Sequence, residues 1–371
     1  MRNDRNSIGE SGQPKALIAM SGGVDSSVAA ALMQEEGYPC IGAMMQLYEK
    51  KTLRGEEDER DLGRDDAKDA AKVAEKLGMP FHLFRFTEEF RCQVMERFVG
   101  SYLNGETPNP CIDCNRYMKF EKLLEKAKLL GCEKIATGHY ARIDYDEASG
   151  RWQMRKALDQ SKDQSYVLYL LTQEQLSCVC LPLGELTKDE VRILAQKYGF
   201  LNADKRDSQD ICFVPDGHYE KFIEEYRKEA VPEGNFVTED GEILGRHKGI
   251  IHYTVGQRKG LGIAAAFPYY VKEIRPDSNE VVLCAHEELF RRTLLAKEVN
   301  WVSISAPKGE IRGQAKIRYR HSPQPATAKV LEDGILQVTF DEPQRAITKG
   351  QSVVLYDGEL VLGGGKICGV M

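Results

Sequence analysis

The chain has 371 residues, more than one hydrophobic core usually organises, so two or three domains are expected. Hydrophobic residues at 42% and charged residues at 29% exclude a disordered chain, and no apolar run approaches the ~20 residues of a membrane span. A net charge of −6 excludes nucleic-acid binding driven by the field of the whole molecule, so any such binding must come from local basic patches.

Met1 to Pro14 lacks the apolar core of a signal peptide, and Arg2 and Arg5 are offset by Asp4 and Glu10. A cytoplasmic protein without a membrane partner is expected, and its ten cysteines then read as reduced thiols. Lys15 to Met20 reads as a buried strand and Ser26 to Glu36 as a helix stopped by Gly37. The same unit recurs: Tyr38 to Met45 is a strand, Asp65 to Leu77 a helix stopped by Gly78, and Pro80 to Phe86 a third strand. Glu88 to Leu103 and Asn115 to Leu130 carry helical periodicity, Lys134 to Thr137 is a short strand, and Thr172 and Thr187 each open a capping-box pattern. Strands alternating with helices imply a doubly wound parallel sheet.

Beyond about Phe213 the composition changes. Glycines punctuate short segments from Gly234 to Gly262, as in a small irregular domain, and β-type runs after Pro276 point to an all-β barrel or sandwich. The expected architecture is an α/β domain over 14–213, a small middle domain over 214–276 and a β-barrel-like domain over 277–371.

Between the first strand and its helix stands Ser21-Gly22-Gly23-Val24-Asp25-Ser26-Ser27. A glycine-rich turn there lets backbone amides and the helix start converge on an anion, and the serines add hydroxyl donors. The loop lacks the lysine of a Walker A motif, and a GxGxxG fingerprint does not fit it. Asp25 is the odd member: a carboxylate beside phosphates is repulsive unless a cation such as magnesium intervenes, so Asp25 reads as linked to a metal. Asn109-Pro110-Cys111-Ile112-Asp113-Cys114 runs into the helix expected from Asn115, a setting that lowers a thiol pKa. No second CxxC completes a four-thiolate zinc site. Cys212, in Asp207-Ser208-Gln209-Asp210-Ile211-Cys212-Phe213, is a third thiol whose bland reading is a buried small hydrophobe.

The SGGVDSS loop resembles the PP-loop of ATP pyrophosphatases. Taken with NPCIDCN, Ala136 to Arg142, Lys162-Asp163-Gln164-Ser165, DSQDICF and His252 to Ile263 in one order, the chain resembles the tRNA 2-thiouridylase family over nearly its whole length. The resemblance implies ATP as cosubstrate and adenylation of the wobble uridine of glutamate, glutamine and lysine tRNAs. Sulfur is then transferred to C2 from a persulfide on Cys212, supplied by a cysteine desulfurase or a relay protein. It implies Cys114 as nucleophile, a disulfide between Cys114 and Cys212 after transfer, and Met45 and Gly138 beside the adenine nucleotide. It also implies contacts to tRNA from Lys162, Asp163, Gln164, Arg318 and Tyr319, with Asn109, Pro110 and Cys111 flanking the target base. Where some relatives carry an aspartate as acid/base, this chain has Cys111, and the nearest carboxylate is Asp113. An iron-sulfur cluster on Cys111, Cys114 and Cys212 is the open alternative. Two rivals stand beside this reading: a PP-loop synthetase acting on a small carboxylate, and a zinc-stabilised RNA-binding protein.

Overall fold

The computed structural model describes residues 13–48, 62–203, 205, 211–265 and 267–371, with 62–65 as backbone alone. It divides into two units: Met1–Gln93 with Cys111–Gln209 and Glu359–Val361, and Val94–Pro110 with Asp210–Gly358 and Leu362–Met371.

In the first unit, Ala16–Ala19 form β1, whose Ala16, Leu17 and Ile18 are fully buried. A strand apolar on both faces belongs inside a covered sheet, and β1 is the middle strand of five. It pairs in parallel with β2 (Cys40–Gln46) and β4 (Lys134–Thr137), while β3 (Phe81–Arg85) and β7 (Val179–Cys180) form the edges. The strand order β3-β2-β1-β4-β7 reverses its direction of winding at β1, so the carboxyl ends of β1 and β4 border the crevice where such sheets bind ligands. Helix α1 (Val24–Glu35) follows β1; its Ala29, Ala30 and Ala31 are buried and small, which lets it lie close to the sheet. Helix α2 (Leu62–Lys76) connects β2 to β3, and α3 (Lys188–Lys197) packs on α1. Both expected capping boxes form, at Thr172 with Gln175 and at Thr187 with Glu190.

Two features differ from the sequence expectation. The helix expected from Asn115 begins five residues earlier: Pro110–Asp113 is α-helical, Cys114–Lys122 widens into a π-helix, and Leu123–Leu129 returns to α. Proline favours a first helical turn, because its missing N–H has no intrahelical partner there in any case. A hairpin of β5 (Ala141–Asp146) and β6 (Arg151–Lys156) follows β4 without joining the parallel sheet, and Leu360 pairs with Arg155 at its side.

The second unit holds a small sheet in the order β10-β11-β8-β9, formed by β8 (Gly234–Val237), β9 (Ile243–His247), β10 (Tyr270–Arg275) and β11 (Glu280–Cys284). Its core includes Phe236 and Tyr253, which meet the buried His247 ring edge to face. The remaining strands are β12 (Phe290–Asn300), β13 (Ile311–Lys316), β14 (Gln324–Val330), β15 (Leu336–Arg345), β16 (Ser352–Asp357) and β17 (Leu360–Val370). Their order is β12-β15-β14-β13-β16-β17, and pairing of β12 with β17 closes an antiparallel barrel that leaves no free edge. The fold class is thus the expected one: a doubly wound α/β sheet, a small middle sheet and a C-terminal barrel.

The barrel also braces the segment that leads to Cys111. Thr107 N–H donates to the Lys349 carbonyl at 2.9 Å, Gln351 Nε2 donates to the Thr107 carbonyl at 2.8 Å, and Lys366 pairs with Glu106 at 2.7 Å. Gly350 makes this approach possible: it holds φ +91°, and a Cβ there would lie 2.8 Å from Glu106 Cβ and 2.9 Å from Thr107 N. Gly350→Ala combines a left-handed backbone with that clash. It is expected to destabilise the second unit by about 2 kcal/mol or more, read as an earlier thermal or urea transition against wild type.

Candidate functional site

The loop after β1 turns at Gly22, at φ +76°, where a Cβ would lie 2.4 Å from the Asp66 carbonyl oxygen. Only glycine fits so close an approach. Ser26 Oγ accepts from Ser21 N–H at 3.1 Å and donates to the Gly23 carbonyl at 3.0 Å; Ser27 Oγ donates to the same carbonyl at 3.0 Å. Ser26 and Ser27, both buried, therefore hold the loop's shape in this state instead of presenting their hydroxyls outward, while Ser21 is exposed. Gly23, the residue before α1, makes no side-chain cap, and an uncapped helix start is a place where backbone amides can receive an anion.

Gly138, in the loop after β4, lies against this helix start: a Cβ there would be 2.8 Å from both the Asp25 carbonyl carbon and Ser26 N. Met45 is half-buried near the carboxyl end of β2. Three residues that sequence reasoning passed over complete the loop's surroundings. Asn202 Nδ2 donates to the Gly22 carbonyl at 3.0 Å and to Ser27 Oγ at 2.9 Å. Tyr140 OH donates to Asp25 Oδ1 at 2.8 Å, and Lys188 Nζ reaches both Asp25 oxygens at 2.7 and 2.9 Å. Lys188 had a sequence signal: it stands in the first turn of α3, where the helix dipole disfavours a cation.

The Lys162-Asp163-Gln164 loop is tied to the same network. Asp163 is buried, with its carboxylate accepting from Ala157 N–H, Ser165 N–H and Ser165 Oγ, so it shapes the loop from beneath. Gln164 exchanges hydrogen bonds with Tyr140, its N–H donating to the Tyr140 carbonyl and its Oε1 accepting from Tyr140 N–H. Lys162 is half-buried.

Cys114 is half-buried at the start of the π-helix, and Asp113 beside it is half-buried too. The expected lowering of its thiol pKa is not found: protein packed around the sulfur pushes it up to about 11, with Lys119 pulling the other way. Cys111, in the first turn of this helix, is likewise pushed up by the protein packed around it, with Lys119 again pulling the other way, so a place at the helix start lowers neither thiol. Lys119 Nζ lies 3.2 Å from His139 Nε2, and Thr137 Oγ1 lies 2.7 Å from Nδ1. An ammonium only donates, so Nε2 accepts and Nδ1 carries the proton. Burial first, and then Lys119, hold His139 well below its ordinary pKa.

In the second unit Cys212 is exposed next to buried Phe213, whose ring packs edge to face on Phe98 at 5.3 Å and also meets Phe222. That aromatic anchor turns the neighbouring thiol outward, contrary to the buried reading; Asp207 to Asp210 of its motif lie outside the described residues. Cys114 and Cys212 are thus carried by different units. Among the described residues no group of three or more His, Cys, Asp or Glu is arranged to hold a metal ion. Asn109 is half-buried and Pro110 buried. Arg318 and Tyr319 lie in a turn just after β13; Arg318 Nη1 donates to the Arg345 carbonyl at 3.3 Å, and Tyr319 is exposed with Lys316 Nζ 5.8 Å from its ring.

Residues 14–216 match the model of the tRNA methyl transferase HUP domain, 220–285 its PRC-barrel domain, and 291–367 the aminomethyltransferase beta-barrel domain. The tRNA-specific 2-thiouridylase MnmA of Carboxydothermus hydrogenoformans is 49% identical over 96% of this chain and 98% of its own length. The chain belongs to the tRNA-specific 2-thiouridylase family. It is accordingly an enzyme of the sulfurtransferase class. The family member from Clostridioides difficile is 47% identical over 95% of this chain and 98% of its own, and that from Koribacter versatilis 48% over 95% and 98%. Among solved structures, a 4-thiouridine synthetase–RNA complex with bound ATP aligns at a TM-score of 0.35 and 19% identity over 58% of this chain and 50% of that one, a likeness too loose to argue from. No helix among the described residues is long and apolar enough to cross a membrane.

His139 gives this site a pH signature. Below its unfolded pKa of about 6.5 the unfolded chain takes up a proton that the folded protein refuses, so stability present above that pH is lost as pH falls. Denaturation titrations between about pH 6.5 and 5 should lose up to about 1.4 kcal/mol per pH unit from this group, and His139→Asn should flatten that slope.

Proposed function

We propose that the protein thiolates the wobble uridine of tRNA at C2, with ATP activating the base as its adenylate and with AMP and pyrophosphate as products. The observation that supports this most is the folded form of SGGVDSS: a strand, a left-handed Gly22 turn and an uncapped helix start at the switch point of a parallel sheet, in a chain of this family. Such a loop receives phosphates through backbone amides, with magnesium entering on ATP. Ser21 to Ser27, Met45 and Gly138 are assigned to ATP. The ATP chemistry belongs to 14–213, and 214–276 and 277–371 hold the RNA.

Adenylation replaces a poor leaving group, the C2 oxygen, by AMP. Sulfur then arrives as a persulfide on Cys212, whose exposure suits loading by a cysteine desulfurase or a relay protein. The terminal sulfur attacks C2 and AMP leaves. Cys114 then attacks the Cys212 sulfur, cleaving the S–S bond to leave sulfur on the uridine and a Cys114–Cys212 disulfide, which an external thiol reductant must reopen. The raised Cys114 pKa means that its proton must be taken as it reacts, and Asp113 is the adjacent carboxylate for that task. Asn109, Pro110 and Cys111 flank the extruded base. Lys162 and Gln164, on a loop set by Asp163, and Arg318 and Tyr319 contact tRNA, with glutamate, glutamine and lysine acceptors as substrates and the cytoplasm as the place of action. No step is routed through an iron-sulfur cluster.

Metal-free protein supplied with ATP, magnesium, tRNA and a sulfide source is expected to give a tRNA band retarded in a mercury-containing gel, and the band should vanish without ATP. A band that appears only after iron-sulfur reconstitution overturns the persulfide route, and no band in either state overturns the function. In the same assay, with persulfide delivered by a desulfurase, Cys212→Ser should lose thiolation at least a hundredfold while binding tRNA normally. Arg318→Ala should instead weaken binding several-fold and reduce the slope of log affinity against log salt by about one contact.

A further inference from the structure

Asp25 raises the question of which cation permits a carboxylate at a phosphate-binding helix start. Magnesium was the expectation from sequence, and the donor set around Asp25 does not fit it. Oδ1 receives Lys188 Nζ at 2.7 Å and Tyr140 OH at 2.8 Å, and Oδ2 receives Nζ at 2.9 Å, so both oxygens are engaged by protein donors. The Lys188 side chain is 8% exposed and that of Asp25 30%, so the pair is largely shielded from solvent on the lysine side. A buried ammonium stays where its counter-charge is, and removing one member of such a pair strands the other.

We infer that Lys188, and not a metal ion, is the cation that offsets Asp25 in the nucleotide loop, which makes Lys188 a positioning residue for ATP binding. The inference rests on the reading of this loop as an ATP site. Its surroundings are built for the purpose. Thr187 and Glu190 fix the start of α3 by their reciprocal capping bonds, and Lys188 N–H donates to Asp159 Oδ2 at 3.1 Å. On the opposite side Gln164 holds Tyr140 by its backbone, and Tyr140 carries its hydroxyl to Asp25. Gly138 closes the floor, with no room for a Cβ beside Asp25. Magnesium then rides on the phosphates of ATP without a ligand from Asp25.

The test is a charge-neutralising double-mutant cycle on the full-length protein, with wild type, Asp25→Asn, Lys188→Met and the double variant compared by ATP titration calorimetry across magnesium concentrations and by thermal denaturation without nucleotide. Lys188→Met alone should weaken ATP binding more than tenfold, because an unpaired carboxylate then faces the phosphates, and should lower the melting temperature without nucleotide, because the same carboxylate is stranded part-buried. The double variant should recover the melting temperature and most of the affinity. Asp25→Asn should leave the magnesium concentration for half-maximal ATP binding unchanged. A rise in that concentration in Asp25→Asn, or a double variant no better than Lys188→Met, overturns the inference while leaving the ATP site intact. Absence of ATP binding by wild type overturns the nucleotide reading, and the role of Lys188 in ATP binding with it.

Discussion

A part-buried carboxylate in the first turn of α1 needs partners, and the charged one comes from a lysine 163 residues further along the chain. The constraint reaches outward from Asp25. It brings the start of α3 to the start of α1, holds Tyr140 after β4 closely enough to touch the same carboxylate, and leaves no room for a side chain at Gly138. The order of strands β2-β1-β4 supplies the geometry, because it sets the loops after β1 and β4 side by side. One carboxylate thus ties the start of α1 to the start of α3 and to the loop after β4.

Much of the α/β framework was legible because its signals are local. Gly37 and Gly78 end α1 and α2, at φ +87° and +64°, and the two threonine capping boxes start their helices as their spacing dictates. The barrel was legible from alternation and turn residues, although its closure by β12 with β17 joins segments some seventy residues apart and leaves no local trace. The β5–β6 hairpin escaped notice because its polar strand residues, from Arg151 to Lys156, read as surface charge before they read as a strand.

The site itself was legible as motifs and illegible as contacts. SGGVDSS announces an anion loop, but nothing in it says that Ser26 and Ser27 face inward or that Asp25 is already paired. The thiol reading failed for a structural reason: protein packed around both Cys111 and Cys114 penalises a thiolate by more than the helix start favours it, and sequence spacing carries no measure of that packing. The π-helical stretch from Cys114 to Lys122 has no sequence signature, yet it carries both Cys114 and Lys119, the residue that reaches His139. Widened helical turns recur at functional sites because they reorient side chains that a regular helix would fix.

The bracket between Gly350, Gln351, Lys366 and the segment Glu106-Thr107 changes what the C-terminal barrel is for. A barrel that merely carried RNA contacts could be removed to leave a smaller, weaker-binding enzyme. This one supplies the backbone partners of the strand of chain that leads into Cys111, as a wall holds one end of a beam. Shortening the protein ahead of β16 would remove Lys349, Gln351 and Lys366 together, so the last strands of the chain belong to the same folding body as Glu106 and Thr107, however far apart they lie in sequence.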